Sequence, residues 1–133
     1  MRIFRAILNG GNEVPSVRTN ATGDAVFQLS ADGTRLRFRL VIRNIAQVIQ
    51  AHIHLGRRGQ NGPVVAFLFG PSKFGISVKR GVVEGTLTNS DLVGPLLGKS
   101  IRDLIREIER ANTYVNVHTI QHPDGEIRGQ IKK

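Results

Sequence analysis

An all-β fold, a Greek-key β-sandwich of seven to eight strands with one short inserted helix, is predicted by three features of the sequence. Apolar and polar residues alternate with period two in segment after segment. Clusters of Gly, Pro, Asn and Asp punctuate those segments at short intervals. Only one stretch carries a helical period. At 133 residues, with no internal repeat, low-complexity tract or linker, residues 1–133 are expected to form a single domain.

Residues 2–8 alternate, with Phe4, Ala6 and Leu8 on the expected inner face. Residues 9–24 are polar and hold Gly10, Gly11, Pro15 and Gly23, so they are expected as a surface loop. A second strand follows at 25–29 through Ala25, Phe27 and Leu29, and Asp32-Gly33 marks a hairpin. The third strand carries Leu36, Phe38, Leu40 and Ile42 on one face and Arg35, Arg37, Arg39 and Val41 on the other. A fourth, about 48–55, places Ile49, Ala51, Ile53 and Leu55 inward and Val48, Gln50, His52 and His54 outward.

After a loop at 56–63, residues 64–69 read as a buried strand, 71–79 match no template, and 82–87 read as a strand with Gly85 at a bulge or close approach. A short helical turn fits 88–91. In 101–110, Ile101, Leu104, Ile105 and Ile108 follow a helical stripe, and Ser100 with Asp103 resembles a capping box. Residues 113–119 return to strand, with Val115 and Val117 inward and Tyr114, Asn116 and His118 outward. Pro123-Asp124-Gly125 is a turn before a closing strand at 126–131.

Composition limits function. Hydrophobic residues at 40% and charged ones at 22% argue against disorder. The longest apolar runs fall far short of the roughly 20 residues of a membrane-spanning helix. Arg5 and Asn9 interrupt what would be the apolar region of a secretory signal, so no signal peptide is expected at the N-terminus. With no cysteine, disulfides and thiolate metal sites are excluded, and cysteine content does not assign a compartment.

The three histidines at 52, 54 and 118 are the sharpest chemical feature. His52 and His54 are two apart in a strand and therefore share a face. His118 stands in the same relation to its own inward valines. If the two strands are neighbours, three imidazoles converge in numbers that suit one zinc or copper ion, with Glu126 as a fourth ligand and His122 a poorer one. The competing reading is a polar lid in which the histidines bond Asn116, Tyr114 and backbone. Enzyme signatures are sparse: there is no Gly-x-Ser-x-Gly elbow, and Glu13, Glu84 and Glu126 lie on separate segments.

The net charge of +9 favours anionic partners or, more simply, solubility. Arg35, Arg37 and Arg39 share a strand face and Arg57-Arg58 follow the His-x-His strand, so these five are the candidate anion-binding set. The alternative is a solvated outer face. Nucleic acid fits poorly, because the six Phe and one Tyr are mostly core-facing and leave few stacking platforms. Asn20-Ala21-Thr22 matches a glycosylation acceptor but is discounted without a leader.

Several segments, in order, resemble the CHRD (chordin) domain family: Leu8-Asn9-Gly10-Gly11-Asn12-Glu13-Val14-Pro15, Ala21-Thr22-Gly23 and Ala51-His52-Ile53-His54-Leu55-Gly56. Asn61-Gly62-Pro63-Val64-Val65, Gly85-Thr86-Leu87-Thr88, Tyr114-Val115-Asn116-Val117-His118-Thr119 and Gly125-Glu126-Ile127-Arg128-Gly129-Gln130-Ile131 continue the match. The resemblance implies a β-sandwich, immunoglobulin-like or superoxide-dismutase-like, of the stand-alone bacterial type whose members are often exported. It implies no catalytic activity. Growth-factor antagonism, known for chordin, does not carry over, since chordin's cysteine-rich modules are missing here. A full copper/zinc dismutase site needs more histidines than the four present.

Three functions follow as expectations. The first is a non-enzymatic binding or structural module with a His-lined metal site. The second is a small mononuclear, redox-active metalloenzyme. The third is a binder of an anionic polymer at a cell or spore surface; a protein partner also fits the charge.

Overall fold

The computed structural model describes residues 2–133. Seven strands and one α-helix appear in the order β1 (Arg2–Asn9), β2 (Thr22–Leu29), β3 (Leu36–Leu55), β4 (Val64–Phe69), β5 (Ile76–Leu87), α1 (Ile101–Glu109), β6 (Thr113–Thr119) and β7 (Ile127–Gln130). All strand pairings are antiparallel. Five strands close into a ring, β1–β2–β3–β6–β7 and back to β1, while β4 and β5 pair with β3 outside it. The sequence anticipates two facing sheets; the pairings form one sheet closed on itself.

β3 makes this closure. Its first half pairs with β2 and β5, and its second half pairs with β6 and β4. The two strands expected at 36–42 and 48–55 are therefore one strand with an irregular middle, where Asn44 and Gln47 adopt φ of 52° and 57°. The pairing with β6 slips between Val48 and Gln50. A one-residue bulge reverses which side chains face inward. Hence Val48, expected outward, is buried in the core, whereas Ile49, expected inward, is only half-buried.

The other alternations hold. Phe4, Phe27, Leu36, Phe38, Leu40, Ile53, Val115 and Val117 all lie in one core cluster. Gly85 sits under the Phe38 ring, where a Cβ would come within 2.7 Å of the aromatic carbons. Three smaller differences remain, two of them extensions of strands and the third a change of burial. β2 begins at Thr22, β5 begins at Ile76 inside the stretch that matches no template, and Val41 is buried rather than outward.

α1 turns its buried stripe, Ile101, Leu104, Ile105 and Ile108, into the core. Ser100 and Asp103 form the anticipated capping box. Arg102 ties the helix to the β2–β3 turn through the Asp32 carbonyl.

Candidate metal centre

The outward face of the second half of β3, of β6 and of β7 is not solvated. His52 and His54 from β3, Tyr114, Asn116 and His118 from β6, and Arg128 from β7 are all buried there. The register explains their company, since His52 lies opposite Asn116, His54 opposite Tyr114 and Asn116 opposite Arg128. Loops cover them. Residues 56–63 and the turn at 120–126 fold over the sheet, and Asn61 Nδ2 donates to the Val14 carbonyl of the loop after β1 (2.8 Å).

One ring nitrogen from each of His52, His54 and His118 lies within 4.8 Å of the other two. A neutral imidazole has one N–H and one lone pair, and its partners decide which nitrogen holds which. His54 Nδ1 is 2.9 Å from the Gly62 carbonyl and His118 Nδ1 is 2.7 Å from that of Pro123. Carbonyls only accept, so both Nδ1 atoms carry the proton and both Nε2 atoms present lone pairs. His52 Nε2 faces Gln50 Oε1 at 3.1 Å, which by the same logic leaves its lone pair on Nδ1.

Two acceptors then confront each other, His52 Nδ1 and His118 Nε2 at 3.1 Å. Asn116 Oδ1 adds a third, 2.9 Å from His118 Nε2. Turning the Gln50 amide over would relieve the first conflict by letting His52 Nδ1 donate to His118. It would do nothing for His54 Nε2, which is buried with no hydrogen-bond partner. Such an orphan acceptor is costly, on the order of 1–3 kcal/mol.

Electrostatics keep the three rings neutral. Burial, reinforced by His118 and His54, pushes His52 down to about 3. Burial also lowers His54, with the Gly62 carbonyl and the nearby Asn116 pulling against it, and lowers His118 against the Pro123 carbonyl and Asp124.

The loop at 56–63 is held by several fixed bonds. Arg128 NH2 donates to the carbonyls of Arg57 (3.0 Å) and Gln60 (2.7 Å), and NH1 donates to Asn61 Oδ1 (3.0 Å). Its guanidinium lies 3.5 Å from the Tyr114 ring centroid, and Tyr114 stacks on His54. Gly62 approaches the Leu55 carbonyl so closely that a Cβ would sit 1.7 Å from its oxygen, so only glycine brings this carbonyl to His54. The Gly62 N–H donates to the Tyr114 hydroxyl.

Glu126, expected as the fourth ligand, is engaged elsewhere. It precedes β7, and its oxygens accept from Thr19 (2.7 Å) and Thr119 (2.9 Å). His122 is likewise outside the group. The carboxylate that does approach the cluster is Glu13, which no spacing in the sequence singles out. It lies beside Asn116, and its Oε2 is buried without a hydrogen-bond partner. Burial pushes Glu13 up to about 7, opposed by Arg128 and the nearby Asn116.

A carboxyl raised in the folded state binds its proton more tightly there, so its contribution to stability falls as pH rises from about 4.5 toward 7. The lowered histidines act in the opposite sense, adding stability as pH rises toward 6.5. In metal-free protein Glu13→Gln should cancel only the first effect. Its stability relative to the parent should climb by on the order of 2 kcal/mol between pH 4.5 and 7.5, measured by urea denaturation at each pH. A constant difference would show that folding leaves the affinity of Glu13 for its proton unchanged.

The five candidate anion-binding arginines are scattered. Arg35, just before β3, and Arg37 and Arg39 on its outer face are exposed, and Arg39 pairs with Glu84 at 3.4 Å. Arg57 serves the site through its backbone carbonyl. Arg58 lines a separate groove with Arg5 and Lys132.

The family model of the CHRD domain matches residues 4–131, nearly the whole chain and every element that builds the site. The chain belongs to the CHRD domain family. No curated protein matches it. In this CHRD domain the segments that carry the family likeness are also those that meet at the histidines: the loop with Glu13, the His-x-His strand, the strand with His118, and the strand with Arg128.

Proposed function

We propose that this CHRD-domain protein is a non-enzymatic binding module that holds one zinc or copper ion on His52, His54 and His118. The observation that carries the reading is the buried, unpartnered Nε2 of His54, beside the facing nitrogens of His52 and His118. The donor set suits the chemistry. Three neutral imidazoles, each with its other nitrogen bonded to an oxygen that fixes the ring, are what zinc and copper sites use. The arrangement needs no fourth protein ligand, and Glu126 is not required. Binding is favoured over turnover because the three rings are only 3%, 7% and 7% exposed, which leaves a substrate little access. The reading takes the chain as one domain and its ring as a flattened Greek-key sandwich.

Calorimetric titration of chelator-treated protein, purified without a nickel column, is the test. One zinc or copper ion per chain with a rise in melting temperature is the expected result. Absence of heat and of any thermal shift with both metals would leave the histidines as a hydrogen-bonded polar cluster.

A further inference from the structure

We propose that the groove between β1, the C-terminal residues and the loop after β3 binds an anionic glycan through its sulfate or phosphate esters. The groove encloses about 360 Å³, and Arg5, Arg58, Lys132 and Lys133 line it with no Asp or Glu among its lining residues, although Lys133 reaches Glu109 at 3.7 Å.

The pairing of Arg5 with Lys132 makes this more than a generally basic surface. The two residues exchange both backbone hydrogen bonds, 2.6 and 2.7 Å, and stand directly opposite each other. Like charges opposite one another across paired strands are destabilising. The same sheet relieves its other cation pair: Arg43 stands opposite Arg80, and Asp24 reaches Arg43 at 2.8 Å. Arg39 is balanced by Glu84, and Arg2 by Glu109. Among the described residues Arg5, Lys132 and Arg58 have no ion-pair partner. A ligand with closely spaced anionic groups would supply the missing charge through guanidinium and ammonium hydrogen bonds.

The rest of the lining selects the class of anion. The Asn12 amide and the Gln130 side-chain carbonyl oxygen, whose own amide nitrogen donates to Gly56 and Ala111, suit hydroxyl groups, and Ile7, 74% exposed, offers an apolar surface to the C–H face of a sugar ring. No aromatic side chain lines the groove, so bases would find nothing to stack on. The proposal thus moves anion recognition away from the exposed stripe of Arg35, Arg37 and Arg39 and keeps only Arg58 of the sequence-derived set.

The test is binding of a heparin-derived sulfated oligosaccharide to the full chain at fixed ionic strength. The double variant Arg5→Gln/Lys132→Gln should bind roughly tenfold more weakly, the scale for losing two charge-assisted hydrogen bonds. Arg35→Gln/Arg37→Gln, which removes the same charge from the exposed stripe at the start of β3, should stay within about twofold of the parent. Arg58→Gln, outside the strand pair, should weaken binding on its own if the first variant perturbs the C-terminal bridge. Equal losses in the two double variants would reduce the effect to net charge and overturn the proposal. So would competition by a single-stranded DNA oligonucleotide of equal charge that matched the oligosaccharide.

Discussion

His54→Ala and His118→Ala should each bind zinc or copper at least about 100-fold more weakly than the parent chain, since each deletes one of three ligands whereas loss of a mere supporting partner costs 10–100-fold. The two variants fail for separable reasons. His54 contributes the nitrogen that has no other partner, so its removal also deletes a buried acceptor from the metal-free protein. His118 contributes the nitrogen that meets His52 and Asn116. Glu126→Gln should remain within about threefold of the parent, because the Glu126 oxygens are engaged by Thr19 and Thr119 and not by the histidines. Calorimetry on the three variants, with melting curves to establish that each is folded, distinguishes the outcomes. Parent-like affinity in His54→Ala with loss in Glu126→Gln would place the ion elsewhere.

The histidine group was legible because strand alternation is a strong constraint. Two residues apart means one face, and Ile53 and Val115 decide which face is core. Alternation failed where the backbone departs from a regular strand. The bulge at Val48 to Gln50 leaves no compositional mark, so Val48 and Ile49 exchange roles. The same limit applies to Glu126, which precedes its strand and is free of the alternation that orients Arg128. Burial of the outward face was also illegible. Tyr114, Asn116 and His118 read only as outward from the core and Arg128 carried no facing, whereas the loops at 56–63 and 120–126 make all four a second, polar core. Glu13 and Arg128 did carry a signal, since both fall in segments that resemble the family, but nothing in their spacing assigns them a role.

Arg128 is the residue on which that polar core most depends, and Arg128→Ala should cost about 3–5 kcal/mol of folding stability, the range for removing one member of a buried charged network. The side chain is 1% exposed, so the deletion leaves the carbonyls of Arg57 and Gln60 and the Asn61 amide oxygen without their donor. It also removes the cation that opposes the rise of Glu13. Arg128→Lys restores charge without the planar fork, so it should recover less than half of the loss. The consequence for the metal follows from the loop. Arg128 holds residues 57–61, the next residue presents the carbonyl that fixes His54 Nδ1, and Tyr114 couples the guanidinium to the His54 ring. Both variants should therefore weaken metal binding by about 10–100-fold, as for partners that orient a ligand, although neither removes a ligand atom. Urea denaturation of the metal-free proteins and zinc titration of the folded fraction give the two numbers independently. A stability loss below about 1 kcal/mol would mean that water replaces the guanidinium in the loop. Large destabilisation with parent-like affinity would show that His54 keeps its orientation without the Arg128 latch.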